Sequence, residues 1–132
     1  HAAEISNWID QTSETHHYLH YDVSEIPYEF KLLHRGSRDG FEFDRPYMGY
    51  WAGKLIVSKV SKTNEIIGGF IPLENRMVKT GTDRWKTNYS FIFSLKNEIQ
   101  KESILSRVNN VECAIIVNNT LLSFGGSDLR ID

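Results

Sequence analysis

Histidine, serine and aspartate, the residue types of a serine hydrolase, occur within six residues at His34, Ser37 and Asp39. A catalytic triad needs a base within hydrogen-bond reach of the nucleophile and a third group that orients the base. Adjacent turn residues rarely achieve that geometry, and the sequence has no G-x-S-x-G nucleophile elbow. The favoured interpretation is turn chemistry, in which Ser37 or Asp39 caps backbone N–H groups. A weak hydrolase that uses Ser37 with His34 is the alternative.

A second set of chemistry-bearing residues is the histidine group His16, His17 and His20. His16 and His20 are four residues apart, which on a helix would place both imidazoles on one face. The surrounding residues lack helix signals, and a third ligand would have to come from Glu14 or Asp22. The pattern favours a solvated loop, so we predict neither a metal nor another cofactor, and a metal-dependent enzyme is the alternative.

The single cysteine, Cys113, falls in a stretch that reads as a buried strand over residues 112–117. Buried cysteine usually packs as a small hydrophobe, whereas thiol reactivity needs exposure and a cationic neighbour. We therefore predict no thiol chemistry. A lone cysteine cannot form an internal disulfide, which is typical of a reducing compartment, the cytosol or the nucleus.

The elements that must position these residues are short. Apolar residues at helical spacing predict a helix over residues 2–10, and polar residues 11–27 predict a loop. The alternation of Tyr28 to Arg35 predicts a strand with one buried face over residues 28–34, which a polar turn ends at Gly36. Further strands are predicted at residues 54–60, 65–71, 89–95, 112–117 and 121–124, and from residue 128 onward.

Other segments are less regular. Residues 54–60 and 65–71 form the clearest hairpin, with Pro72 ending its second strand, and both faces of strand 89–95 are apolar enough to be covered. Residues 41–53 are ambiguous, residues 74–86 read as a polar loop, and residues 99–108 fit a helix or a strand. The pairs Gly68-Gly69 and Gly125-Gly126 read as strand bulges or turns rather than phosphate cradles.

Composition limits the class of protein. A chain of 132 residues with 40% apolar and 24% charged residues is typical of one soluble globular domain. Its net charge of −2 argues against a general nucleic-acid binder, and no apolar run is long enough to insert into a membrane. Many short strands with few helices predict an antiparallel, β-rich α+β domain.

Five sequence blocks, in order, resemble the TLDc domain family, and the likeness is strongest to fungal members that carry RGSRDGF. The first block is the strand and turn FKLLHRGSRDGF at residues 30–41. The others are Asn64–Phe70, Trp85–Leu95, Ile104–Val108 and Phe124–Leu129. The resemblance implies a TLDc domain over residues 1–132, with a helix over 1–10, a loop over 11–27 and a β-rich core over 28–132. The implied fold is two antiparallel sheets packed as a sandwich and flanked by short helices.

The resemblance also implies a function. Family members are linked to oxidative-stress resistance and to binding of the vacuolar proton-pumping ATPase, and fungal relatives often carry an upstream BTB domain. We therefore expect a protein-interaction domain rather than an enzyme, located in the cytoplasm or, as the alternative, in the nucleus. Its expected partner is a protein, with vacuolar ATPase subunits as the candidate. TLDc domains usually continue for several more strands, so we expect this chain to lack the closing C-terminal strands, and a non-functional fragment of a larger BTB–TLDc adaptor is a further alternative.

Two loops are the expected docking surface. The polar turn contributes Arg38 and Asp39, and the following segment contributes Arg45, Tyr47, Tyr50 and Trp51. Aromatic residues beside arginine are typical of interface hot spots. They are equally typical of core packing, and the sequence does not separate the two.

Overall fold

The computed structural model describes residues 1–11, 22–40, 53–72, 81–118 and 121–131. The chain divides into two compact units, His1–Asp44 and Arg45–Asp132. The described part of the first unit is helical or extended, and the second unit contains the sheets. No helix of the described ranges is long and apolar enough to cross a membrane.

The first unit begins with helix α1, Ala2–Asp10, as the helical spacing predicted. Ile5 on its apolar face is 5% exposed. The hydroxyl of the fully buried Ser6 donates to the carbonyl of Ala2 one turn earlier, at 2.8 Å. This back-bonding satisfies a buried hydroxyl inside the helix, where it would otherwise destabilise the fold. A 3₁₀ turn at Val23–Glu25 and a single helical turn α2, Gly36–Asp39, follow.

The predicted strand over residues 28–34 is wrong. This segment has no strand assignment and lies exposed on both of its alternating sides. Phe30 is 44% exposed, and Leu32 is 64% exposed. An alternating pattern shows that a segment is able to form a strand. The strand forms only where a neighbouring strand offers backbone N–H and C=O groups for hydrogen bonding. No such neighbour lies beside it among the described residues. The hydroxyl of Tyr28 in this segment donates to Oδ1 of Asp10 in α1.

The described part of the second unit contains eight strands in two four-stranded antiparallel sheets. Sheet 1 has the order β1-β2-β4-β5, and sheet 2 has the order β3-β6-β7-β8. The strands are β1 Lys54–Lys59, β2 Ile66–Ile71, β3 Asp83–Trp85, β4 Phe91–Leu95, β5 Ile104–Arg107, β6 Ile115–Val117, β7 Leu122–Phe124 and β8 Leu129–Ile131. The predicted β-rich α+β class with two antiparallel sheets and few short helices is confirmed.

The predicted hairpin is β1 and β2, which pair from Lys54 opposite Ile71 to Lys59 opposite Ile66. The intervening turn includes Asn64 at a φ of 55°, a left-handed conformation that asparagine tolerates. As expected, β2 ends directly before Pro72.

The glycine pair of β2 marks where aromatic rings pack. Gly68 and Gly69 are paired in continuous register with both neighbouring strands, so the predicted bulge or turn is wrong at this pair. A Cβ atom on Gly69 would lie 2.6 Å from Cζ of Phe124 in β7, and one on Gly68 would lie 2.4 Å from Cζ of Phe93 in β4. Because Gly69 and Phe124 belong to different sheets, this contact places sheet 1 face to face with sheet 2.

Strand β4 lies inside sheet 1, between β2 and β5. Phe91, Phe93 and Leu95 are all buried on one of its faces, and the Phe91 ring stacks on Phe70 with centroids 5.2 Å apart. On the other face Ile92 and Ser94 are half-buried, and Asp128 and Leu129 of sheet 2 line a shallow groove with them, so the predicted cover is complete on one face and partial on the other.

Three local predictions need correction or completion. The loop predicted over residues 74–86 contains the short strand β3, whose Trp85 pairs opposite Ile115. Residues 112 and 113, expected in a strand, belong to a 3₁₀ turn over Val111–Cys113, and the strand starts only at Ile115. The ambiguous residues 99–108 contain strand β5, which adds to the edge of sheet 1. Short strands like β3 carry too few residues to show a period.

Candidate functional site

The candidate site is the RGSRDG turn, which we define as residues Arg35 to Gly40. Its backbone closes into one helical turn, because the N–H groups of Arg38 and Asp39 donate to the carbonyl of Arg35 at 2.9 and 2.8 Å. Gly40 then takes a φ of 94°, a conformation that L residues other than glycine rarely adopt. Glycine at this position therefore ends the turn and fixes where the chain leaves it.

Asp39 organises the turn through its carboxylate. Oδ2 accepts a hydrogen bond from the backbone N–H of Arg35 at 2.8 Å, which satisfies a donor at the start of the turn. The guanidinium of Arg38 binds the same carboxylate with two hydrogen bonds, Nε to Oδ1 at 2.6 Å and Nη2 to Oδ2 at 2.7 Å. Such a bidentate pair fixes the plane of the guanidinium as well as its distance.

These contacts perturb the ionisation of the pair. The hydrogen bond from Arg38 is the main cause that holds the pKa of Asp39 well below its usual range, and the backbone N–H of Arg35 adds to it. The same hydrogen bond raises the pKa of Arg38. Both side chains stay charged across physiological pH. Arg38 is 60% exposed, so the pair presents a charged, geometrically fixed fork to solvent.

The hydrolase alternative is not supported by this geometry. The hydroxyl of Ser37 accepts from Nε of Arg35 at 3.1 Å, and no hydrogen bond joins Ser37 to His34 in the described turn. Nε2 of His34 lies 2.9 Å from the carbonyl oxygen of Gly40, to which it must donate, and Nδ1 lies 3.9 Å from Oδ2 of Asp39. Neither of these two ring contacts directs a base at Ser37, so His34, Ser37 and Asp39 are brought together without forming a triad.

The histidines of the metal alternative, His16, His17 and His20, lie outside the described residues. Among the residues that the structure does describe, no group of three histidine, cysteine, aspartate or glutamate side chains is placed to hold a metal ion. The described ranges therefore supply no metal centre of their own.

Cys113 differs from its prediction. It ends the 3₁₀ turn rather than lying in a strand, and it is half-buried rather than buried. Nη1 of Arg84 lies 3.9 Å from its sulfur, and Nδ2 of Asn110 lies 4.0 Å away. The thiol thus has partial exposure and a cationic neighbour, the two conditions that thiol reactivity needs, whereas the sequence predicted a buried cysteine.

The second glycine pair, Gly125-Gly126, has a structural role in a turn. Gly125 and Gly126 take φ values of 61° and 81° in the turn between β7 and β8, as a turn prediction requires. Their N–H groups donate to the carbonyls of Ala114 and Cys113 at 3.2 and 3.1 Å. Amides that already have backbone acceptors are not available to cradle a phosphate, so the turn interpretation is confirmed at this pair.

A shallow groove of about 190 Å³ lies on the Ile92 face of sheet 1, beside part of sheet 2. Ile67, Ile92 and Ile104 form its apolar floor, and Asp128 and Leu129 from sheet 2 form one wall. Binding pockets for small molecules usually measure about 300–1,000 Å³. The groove is therefore too small and too open to enclose a typical cofactor.

Of the six predicted docking residues, the structure places Arg38 and Asp39 together in the RGSRDG turn. Arg45, Tyr47, Tyr50 and Trp51 lie outside the described residues. Sequence reasoning missed Arg35, whose backbone N–H and side chain hold Asp39 and Ser37. The spacing of Arg35 and Asp39, four residues apart around a glycine, is the signal that indicates such a closed turn.

Comparison with protein-family models identifies the family of the chain. The family model described as TLDc domain matches residues 4–132, which is nearly the whole chain and spans both compact units. This match agrees with the five sequence blocks that resemble the family. No curated protein and no solved structure matches the chain.

Proposed function

The chain belongs to the TLDc domain family, and we propose from this that it is a non-enzymatic protein-interaction domain whose partner docks on the RGSRDG turn. Residues 1–132 act in this proposal as one TLDc domain. Its place of action is the cytoplasm or the nucleus, and in a larger parent protein an upstream BTB domain would make it an adaptor.

The observation that carries the proposal is the exposed fork of Arg38 and Asp39, held rigid by bonds within one turn. A docking site benefits from such order, because binding then costs little conformational entropy. Large apolar side chains are exposed directly before the turn, with Leu32 64% and Leu33 54% exposed. Arginine beside apolar anchors is the composition typical of interface hot spots.

The proposed partner is the vacuolar proton-pumping ATPase, and the proposed outcome is control of its assembly and resistance to oxidative stress. The support is the family membership, since characterised TLDc members have these roles. The composition of the turn agrees with a protein partner. A general nucleic-acid partner is disfavoured by the net charge of −2.

The segment with Arg45, Tyr47, Tyr50 and Trp51 completes the proposed surface. It follows the RGSRDG turn within a few residues of chain and carries the aromatic and arginine types that dominate binding energy. The double variant Arg45→Ala with Trp51→Ala separates its contribution from that of the turn.

The test is capture of vacuolar ATPase subunits from lysate by the tagged chain and its variants. Arg38→Ala removes the exposed cation and leaves the bond between Asp39 and the backbone of Arg35, so the turn persists. Leu32→Ser removes an exposed apolar side chain without opening a core. We expect both variants to capture at least several-fold less ATPase than the parent chain.

The matched control is Lys86→Ala. Lys86 is also an exposed cation, 59% accessible, and its ammonium lies 2.6 Å from Oε2 of Glu112 in the second unit. Removing it changes the net charge as Arg38→Ala does but leaves the proposed surface intact, so capture should not change. Equal capture by Arg38→Ala, Leu32→Ser and the parent chain would exclude the turn as the docking surface.

A further inference from the structure

Ser37 lies exposed in the middle of the RGSRDG turn, between two arginines. Its hydroxyl oxygen accepts from Nε of Arg35 at 3.1 Å, and Arg38 follows it in the chain. We propose that Ser37 is a phosphorylation site and that Arg35 and Arg38 bind the phosphate once it is formed.

The chemical environment suits a phosphate acceptor. Arginines stand two residues before and one residue after the serine, a charge pattern that an acidic kinase groove selects. The Ser37 oxygen attacks the γ-phosphorus of a nucleoside triphosphate and forms the new O–P bond. The bond from that phosphorus to the β–γ bridging oxygen breaks, the nucleoside diphosphate leaves, and the hydroxyl proton passes to the base of the kinase.

The phosphate would find donors already in place. Nη1 and Nη2 of Arg35 and Nη1 of Arg38 donate no hydrogen bond within the described part of the chain. A phosphoserine carries about −1.5 to −2 charge and three strong acceptor oxygens, and guanidinium binds such a group with two parallel hydrogen bonds. Arg35 and Arg38 against Asp39 leave a local charge of +1 before modification, so the phosphate enters a cationic site.

The modification would also rearrange the turn. Arg38 now gives Nε and Nη2 to Asp39, and a phosphate on the preceding residue competes for the same guanidinium. The bond from the backbone of Arg35 to Asp39 does not involve this guanidinium and can persist. Phosphorylation would therefore break the two hydrogen bonds between Arg38 and Asp39, while the backbone of the turn stays closed. That this change regulates docking rests on the proposed function, whereas the phosphorylation and the arginine contacts do not.

The first experiment incubates the purified chain with ATP and a serine kinase that selects arginine two residues before its acceptor. Peptide mass analysis should find one phosphoryl group at Ser37, which Ser37→Ala abolishes. Ser127 is the matched internal control, since it is also an exposed turn serine but stands beside Asp128 and has no arginine within two residues on either side. Phosphate absent from Ser37, or incorporated at Ser127 to the same extent, would overturn the proposed acceptor.

The second experiment tests the arginine contacts without depending on a kinase. Phosphoserine is installed at position 37 during synthesis, and its ³¹P signal is followed against pH. The second pKa of phosphoserine is ordinarily about 6, and the bound phosphate should titrate clearly below that value. Arg35→Gln should return it toward 6, whereas Lys86→Ala should not. Titration at the ordinary value in the unsubstituted chain would overturn the contacts. Neither readout uses ATPase capture, so this proposal and the proposed function can fail separately.

Discussion

The contact between Gly69 and Phe124 gives the sharpest test of the sandwich. Gly69→Ala adds a methyl group that would lie 2.6, 2.8 and 3.0 Å from three carbons of the Phe124 ring. All three distances are far below van der Waals contact. The ring is only 2% exposed and belongs to the opposite sheet, so it cannot move away without disturbing the core. We therefore expect the substitution to strain both sheets.

Overpacking of this kind costs about 1–3 kcal/mol. Replacing glycine by alanine recovers about 0.4–1 kcal/mol by restricting the unfolded chain. The net loss should be about 1–2 kcal/mol, which lowers the urea midpoint by roughly 0.5–1 M at a slope of about 2 kcal/mol/M. Urea unfolding followed by tryptophan fluorescence measures this shift.

A double-mutant cycle distinguishes ring overlap from a general effect of alanine. Phe124→Leu alone should destabilise the chain. In the double variant the smaller leucine no longer overlaps the new methyl group, so the loss of unfolding free energy should be smaller than the sum of the losses in the two single variants. Ile99→Ala is the control partner, because Ile99 is 81% exposed and should combine additively with Gly69→Ala. An additive Gly69–Phe124 cycle, or no loss with Gly69→Ala, would refute the proposed contact between the sheets.

Three further predictions concern other parts of the chain. The carboxyl signal of Asp39, followed by NMR, should titrate well below the ordinary pKa of about 3.9, and Arg38→Gln should raise its midpoint because the bidentate hydrogen bonds are lost. The pKa of Asp39 is lower in the folded chain than in the unfolded chain, so its pair with Arg38 stabilises the fold above about pH 4, and this stabilisation is lost as the pH falls further. A midpoint in Arg38→Gln equal to that of the parent chain would contradict this prediction. Phe91→Ala, at a site 1% exposed, should cost about 3–5 kcal/mol in urea unfolding, and a loss below 1 kcal/mol would contradict its core position. A maleimide should label Cys113 in the folded chain, because its thiol is half-buried in a 3₁₀ turn, whereas protection until unfolding would restore the buried-strand interpretation.

Much of the second unit could be predicted from the sequence. The hairpin of β1 and β2 was predictable because two runs rich in isoleucine and valine flank a polar turn, and Pro72 cannot donate to a ladder. Strand β4 was predictable from its alternating phenylalanines. Strand β3 was not, because three residues carry no period, and its place depends on pairing with β6, some thirty residues later in the chain.

The candidate site divides in the same way. That Asp39 caps backbone in the RGSRDG turn followed from turn chemistry. The part played by Arg35 did not, because its backbone contact with Asp39 appears only when the turn closes. The strand predicted over residues 28–34 does not form, because alternation is a property of one segment, whereas a β-ladder needs a second strand to pair with. The glycines of β2 were misread for a related reason, since the rings that cover them come from distant strands.

The most direct test of the proposed function is a titration of the purified chain against purified vacuolar ATPase in an immobilised binding assay. The chain is first checked for cooperative urea unfolding, so that a negative result cannot be assigned to misfolding. The account predicts saturable binding that Arg38→Ala weakens at least several-fold and that Lys86→Ala leaves unchanged. A flat response from the folded chain, or equal binding by the Arg38→Ala variant, would contradict it.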